Sequence, residues 1–186
     1  MATLEELKRV VAQCRRCPLA ENRTRVVFGE GNPQAKIMFI GEGPGYHEDQ
    51  QGRPFVGRAG QLLDKMLAAI QLSRKDVYIA NVVKCRPPNN RDPLPAEVEV
   101  CINYLRWQYK LIRPKILVCL GAVAARHIIA PDFSITRGRG QWVQKAGVWI
   151  LPTYHPAALL RDPAKKKESW EDLQSLRARY DELAYE

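Results

Sequence analysis

Apolar positions fall along this chain with two alternating periods, one near four and one of continuous short runs. Leu4, Leu7, Val10 and Val11 lie on one face of a short helix that ends at a Cys-x-x-Cys turn. Lys36-Ile-Met-Phe-Ile-Gly41 is an apolar run bounded by turn residues, the pattern of a buried strand. Leu62, Leu63, Met66, Leu67 and Ile70 then mark an amphipathic helix, and Val77-Tyr-Ile-Ala-Asn-Val-Val83 a second strand. Pro95 opens a helix with Val98, Cys101, Leu105 and Ile112 on one face, since proline is favoured at the first helical position. Lys115-Ile-Leu-Val-Cys-Leu-Gly121 reads as a third strand, and the Ala-Val-Ala-Ala-Arg-His-Ile-Ile that follows as a helix. Trp142-Val143 and Val148-Trp-Ile-Leu151, turning at Ala146-Gly147, form a hairpin whose second arm joins the sheet. A last helix carries Trp170, Leu173, Leu176, Tyr180 and Leu183.

Strands that alternate with helices imply a parallel sheet covered on both faces. No linker or repeat divides the chain, so residues 1–186 are expected to form one α/β domain. Ligands bind such sheets beyond the carboxyl ends of the strands. Three unusual segments follow strand ends here: Gly41-Glu-Gly-Pro-Gly45, the loop from Cys85 to Asp92, and His155-Pro156. They are expected to converge on one face.

Composition narrows the setting. Apolar residues make up 46% of the chain, which excludes disorder, and no run approaches the ~18 apolar residues of a membrane helix. The N-terminus is acidic and lacks a basic segment followed by an apolar one, so the expected compartment is the cytoplasm. The formal net charge of +9 favours a polyanionic partner, nucleic acid first. In a reducing compartment, Cys14 and Cys17 with Cys85 and Cys101 point to a metal or an iron–sulfur cluster rather than to disulfides. Four thiolates alone also suit a structural zinc. Cys119, inside an apolar run, is expected in the core.

Several side chains stand out against this frame. The glycines and proline of Gly41–Gly45 make a rigid turn with exposed amides, but neither a dinucleotide fingerprint nor a P-loop spacing is present. Asn81 is an amide inside an apolar strand, where it must find partners or cost about 1–3 kcal/mol. It either bonds neighbouring backbone or reads a donor and acceptor on a ligand. Phe55 lies in a loop, as a core plug or as a stacking platform for a planar base. Of the three histidines, His127 reads as packing or surface and His47 as exposed. His155, at a strand end, is the best-placed cation or hydrogen-bond donor. Leu159 and Leu160 before Arg161 read either as a wedge that enters a base stack or as the start of the final helix.

Together these segments resemble family 4 uracil-DNA glycosylases. The likeness rests on Gly-Glu-Gly-Pro-Gly-Tyr-His-Glu-Asp (41–49), Gly-Arg-Pro-Phe-Val-Gly-Arg-Ala-Gly (52–60), Asn-Val-Val-Lys-Cys-Arg-Pro-Pro-Asn-Asn-Arg (81–91) and His-Pro-Ala-Ala-Leu-Leu-Arg (155–161), in order across nearly the whole chain. It implies a three-layer α/β/α sandwich around a four-stranded parallel sheet. It implies a 4Fe–4S cluster on Cys14, Cys17, Cys85 and Cys101. It also implies hydrolysis of the uracil–deoxyribose bond in single- or double-stranded DNA, initiating base excision repair. By the same resemblance the flipped uracil would stack on Phe55 and be read by Asn81. His155 would stabilise the departing uracil anion, with Gly41 and the amides of Glu42 and Gly43 lining the pocket. Leu159, Leu160 and Arg161 would fill the gap in the DNA, while Arg137 and Arg139 grip phosphates.

The motif departs from the family 1 glycosylases, where an aspartate and a tyrosine stand at the positions of Gly43 and Gly45. The attacking water is therefore expected to be placed by backbone or by Glu42, and the thymine methyl to be excluded by Glu48. No insert follows Lys84, so turnover rather than covalent trapping is expected. A single substrate-bound monomer suffices, and a sliding clamp stays open as a protein partner. The alternative is a non-catalytic iron–sulfur DNA-binding module accessory to a polymerase. That module shares the charge and the cysteines but has no need of Asn81, Phe55 and His155 together.

Overall fold

The computed structural model describes residues 3–183. Met1 and Ala2, part of the N-terminal reading above, lie outside the described residues. Nine α-helical segments and six strands follow one another in these residues. In chain order they are α1 (Leu4–Ala12), α2 (Leu19–Asn22), β1 (Glu30–Gly31), β2 (Ile37–Gly41), α3 (Tyr46–Gln51), α4 (Arg58–Ala69), β3 (Tyr78–Asn81), α5 (Pro95–Ile112), β4 (Ile116–Leu120), α6 (Ala122–Ile128), α7 (Ile135–Gly138), β5 (Val143–Lys145), β6 (Val148–Thr153), α8 (Pro156–Arg161) and α9 (Lys166–Glu182).

The sheet order is β1-β3-β2-β4-β6-β5. The inner four strands, β3, β2, β4 and β6, are parallel, as expected. The sheet is wider than four strands because two short antiparallel edges are added. β5 is the first arm of the foreseen hairpin, and β1 is a two-residue strand that no periodicity could reveal. Such short edge strands protect a sheet from pairing with other chains.

Alternation along each inner strand divides the core into two layers. Met38, Ile40, Ala80, Leu117, Cys119 and Ile150 face α1 and α5, where Leu7, Val11, Val98 and Leu105 cover them. Ile37, Phe39, Ile79, Val118 and Leu151 face α4, α8 and α9, meeting Leu63, Leu67, Leu159, Leu173 and Leu176. Two apolar layers on one sheet make the three-layer α/β/α sandwich. Local signals start the helices. Thr3 Oγ1 accepts from the Glu6 amide at 3.1 Å to cap α1, and Pro95 stands in the first turn of α5. Among the described residues, no helix is long and apolar enough to cross a membrane.

Candidate active site: a cavity at the carboxyl ends of the strands

The parallel register carries β2, β3, β4 and β6 to a common edge, with Gly41 beside Asn81 and Leu120 beside Thr153. The three segments that follow these strand ends do converge. Together they line one cavity of about 730 Å³ that takes in Glu42, Phe55, Asn81, Asp92, His155 and Arg161.

Asn81 closes β3 and is 2% exposed. Its side-chain oxygen is buried and has no hydrogen-bond partner. It therefore does not spend its amide on neighbouring backbone, the bland reading of an asparagine in a strand. Phe55 lies against it. A Cβ at position 41 would run into both the Asn81 Oδ1 and the Phe55 ring, so only glycine lets the two side chains meet there.

His155 caps α8, and its Nδ1 accepts from the Ala157 amide at 3.0 Å. Desolvation lowers its pKa to about 4, nearby Arg161 adds to the effect and Glu48 opposes it. The ring is thus neutral near pH 7, and with Nδ1 accepting, its proton sits on Nε2. The sequence reads His155 as a cation or a donor; in this buried setting the ring is neutral. Its ring stacks on Phe55, with centroids 5.4 Å apart and planes at 29°.

Glu42 follows Gly41 into the cavity. Burial, and after it a hydrogen-bonded Asp92, together raise its carboxyl to about 7, while Arg161 pulls the other way. Two carboxyls in contact cannot both ionise readily. Asp92 was not singled out in the sequence. The only available signal was its position at the end of the loop from Cys85.

Three expectations require correction. Glu48 lines the cavity, but its carboxylate is committed to the backbone rather than free: its Oε1 accepts from the amides of Val56 (2.9 Å) and Gly57 (3.0 Å), and its Oε2 from Gly45 (3.2 Å). It ties the glycine turn to the Phe55 loop instead. That turn leads straight into α3 at Tyr46, a helix too short to show in the pattern. Leu159 is 1% exposed and packs in the core layer under α8, because a buried apolar position one turn into a helix is worth more than a solvent wedge. Arg139 is not free for phosphate: its Nη2 lies 2.5 Å from Asp172 Oδ1 and its Nε 3.1 Å from Oδ2, so it fastens α7 to α9. Leu160 remains half-buried and Arg161 and Arg137 exposed, as a DNA-facing role needs. His47 and His127 are exposed and Cys119 is buried, as read.

Cys14, Cys17, Cys85 and Cys101 line a second, smaller cavity between the α1–α2 turn and α5. Among the described residues, no three His, Cys, Asp or Glu side chains close around a single point as one metal ion needs. Two donors address these sulfurs: Arg23 Nη1 reaches Cys85 Sγ at 3.4 Å, and the Lys84 amide reaches Cys101 Sγ at 3.3 Å. Burial pushes the Cys101 thiol up to about 11, with Lys84 opposing. Lys84 is itself buried, its Nζ donating to the Asn81 carbonyl (2.9 Å) and to Gln108 Oε1 (2.7 Å).

A parallel α/β/α sandwich with a cavity at its carboxyl edge that gathers Glu42, Phe55, Asn81 and His155, and with a cysteine-lined pocket elsewhere, defines a class. The family model described as the Uracil DNA glycosylase superfamily matches residues 28–174, and the chain belongs to that superfamily. Within it, the chain is more similar in sequence to proteins of type 4 than to one of type 5. The chain is 46% identical to a type-4 uracil-DNA glycosylase of Archaeoglobus fulgidus, over 95% of this chain and 92% of that one. It is 49% identical to the type-4 enzyme of Thermotoga maritima, over 87% and 88%. A type-5 uracil-DNA glycosylase of Pyrobaculum aerophilum is more distant, at 35% identity over 69% of this chain.

Proposed function

We propose that this protein is a type-4 uracil-DNA glycosylase that removes uracil from DNA by hydrolysis and leaves an abasic site. The observation that carries this reading is the unpartnered, buried Asn81 oxygen facing a cavity walled by Phe55. An orphan acceptor costs about 1–3 kcal/mol, which a ligand donor would recover. Uracil supplies that donor at N3–H, and its O4 accepts from the Asn81 amide. Cytosine presents the reverse pattern at both atoms and would leave buried groups mismatched.

The extruded base stacks on Phe55. Leu160 and Arg161, at the far end of α8 from His155, occupy the gap left in the DNA. Exposed Arg137 contributes to the phosphate grip. As the C1′–N1 bond breaks, its electron pair moves to the uracil ring. The neutral His155 donates its Nε2 proton in a hydrogen bond to O2, where that charge collects. The main-chain amides of Glu42 and Gly43 line the same edge. A water attacks C1′ of the oxocarbenium-like sugar, and its proton passes to the Glu42 carboxylate. Burial, with Asp92 beside it, keeps that carboxylate basic enough to accept a proton near neutrality.

The four cysteines suit a 4Fe–4S cluster. They surround a cavity rather than converge on a point, and N–H donors address two of the sulfurs. Bound there, a cluster supplies cross-links between the α1–α2 turn and α5. The hydrolysis moves no electrons between centres.

The test is an oligonucleotide with one uracil, incubated with the protein and treated with alkali. Cleavage at that position with release of free uracil is expected, from single- and double-stranded DNA. Salt-dependent binding without base release would replace the enzyme with a DNA-binding module.

A further inference from the structure

Phe55 adopts φ +53°, in the left-handed region, which a bulky residue occupies only when its surroundings force it. The forcing groups are visible. Arg74, in the turn between α4 and β3, donates Nη1 to the Pro54 carbonyl at 2.8 Å and Nη2 to the Phe55 carbonyl in a short hydrogen bond. The same guanidinium is oriented by two carboxylates. Its Nε lies 2.6 Å from Asp64 Oδ1 on α4, and its Nη1 2.8 Å from Glu30 Oε1 on β1. Arg53 holds Glu30 from the other side, with Nε 2.8 Å from Oε2. Gly60 completes the seat, because a Cβ there would collide with the Phe55 carbonyl.

The turn is therefore gripped on both sides: its carbonyls by Arg74 and its following amides by Glu48. What the grip fixes is the height of the Phe55 ring over Gly41 and its stacking on His155. We infer that Arg74 is a positioning residue for base recognition, held in register by Glu30 and Asp64, and acting on the flipped uracil through Phe55. The inference rests on the function proposed above. A lysine in its place keeps the charge but cannot fork to two carbonyls while meeting two carboxylates. The edge strand β1, which lies outside the cavity, thereby acquires a part in recognition.

The test is a double-mutant cycle of Arg74→Lys and Phe55→Ala, read as KM and kcat on a uracil oligonucleotide, with thermal unfolding of each variant. Arg74→Lys is expected to lower kcat/KM by about 10- to 100-fold, the scale of an ångström misplacement. The loss should fall mainly on KM, as in Phe55→Ala. In the Phe55→Ala background the same change should have little further effect. Additive losses, or a loss that tracks only the unfolding temperature, would overturn the inference. Glu30→Gln provides a second, milder variant with the guanidinium intact and the same KM-weighted signature. If the wild-type protein releases no uracil, the proposed function fails instead, and the two failures are told apart.

Discussion

The ammonium of Lys84 donates to the main-chain carbonyl of Asn81 from a position 1% exposed to solvent. It thereby ties the end of β3, where Asn81 stands, to the segment that carries Cys85. Lys84→Met keeps the bulk but leaves two buried acceptors, the Asn81 carbonyl and Gln108 Oε1, without that donor. A loss of about 1–3 kcal/mol for each is expected, measured by urea unfolding. Unchanged stability would mean that water or a neighbour replaces the ammonium.

If Glu42 is the base proposed above, it should set the acid limb of the reaction. Its carboxyl is raised to about 7, so kcat/KM should climb with pH through an apparent pKa near that value. Glu42→Gln should abolish the limb and slow single-turnover cleavage by about 10²–10⁴-fold. Asp92→Asn removes the like charge that helps to raise Glu42, so the limb should move to lower pH. A limb that stays in place in both variants would assign it to another group.

His155 should behave as a neutral donor. His155→Ala is expected to slow cleavage by about 10²–10³-fold. The folded pKa of about 4 lies below the unfolded value of about 6.5. Between those values the unfolded chain binds the proton and the fold does not. Stability thus falls as pH drops through that window, by up to about 1.4 kcal/mol per unit from this group. His155→Gln should flatten that part of the curve in urea unfolding at pH 5 and pH 7.5.

Asn81 is expected to carry selectivity. Asn81→Asp should slow uracil release and narrow the gap between uracil and cytosine substrates in competition assays. An unchanged ratio would remove Asn81 from the pocket.

Cys101→Ser should lower the iron content and the unfolding temperature together, because it frees α5 from the α1–α2 turn. The intact protein should be brown with broad visible absorbance. A colourless protein with stoichiometric zinc would replace the cluster in this account.

Legibility of the sequence followed the length and chemistry of each signal. The four inner strands were readable because they are continuous apolar runs, and α5 because proline opens a long periodic face. The Asn81, Phe55 and His155 constellation was readable because each residue type is out of place in its segment. The two-residue β1 and the short α3 and α8 span less than one reliable period. With α8 hidden, Leu159 could be read as part of an exposed wedge as well as the start of a helix. Arg139 was misread for a different reason, since an arginine shows its charge in the sequence but not its partner, here Asp172 on α9. Asp92 and Arg74 were missed because each acts through a neighbour brought close only by the fold.

The burial of Leu159 has a mechanical meaning. It pins the middle of a six-residue helix whose first turn is capped by His155 and whose last residues are Leu160 and Arg161. Helix α8 is thus about 9 Å long, rising 1.5 Å per residue, and is fixed at its middle. On the function proposed above, the segment that would meet the DNA and the histidine that would meet the base are two ends of one short, anchored rod.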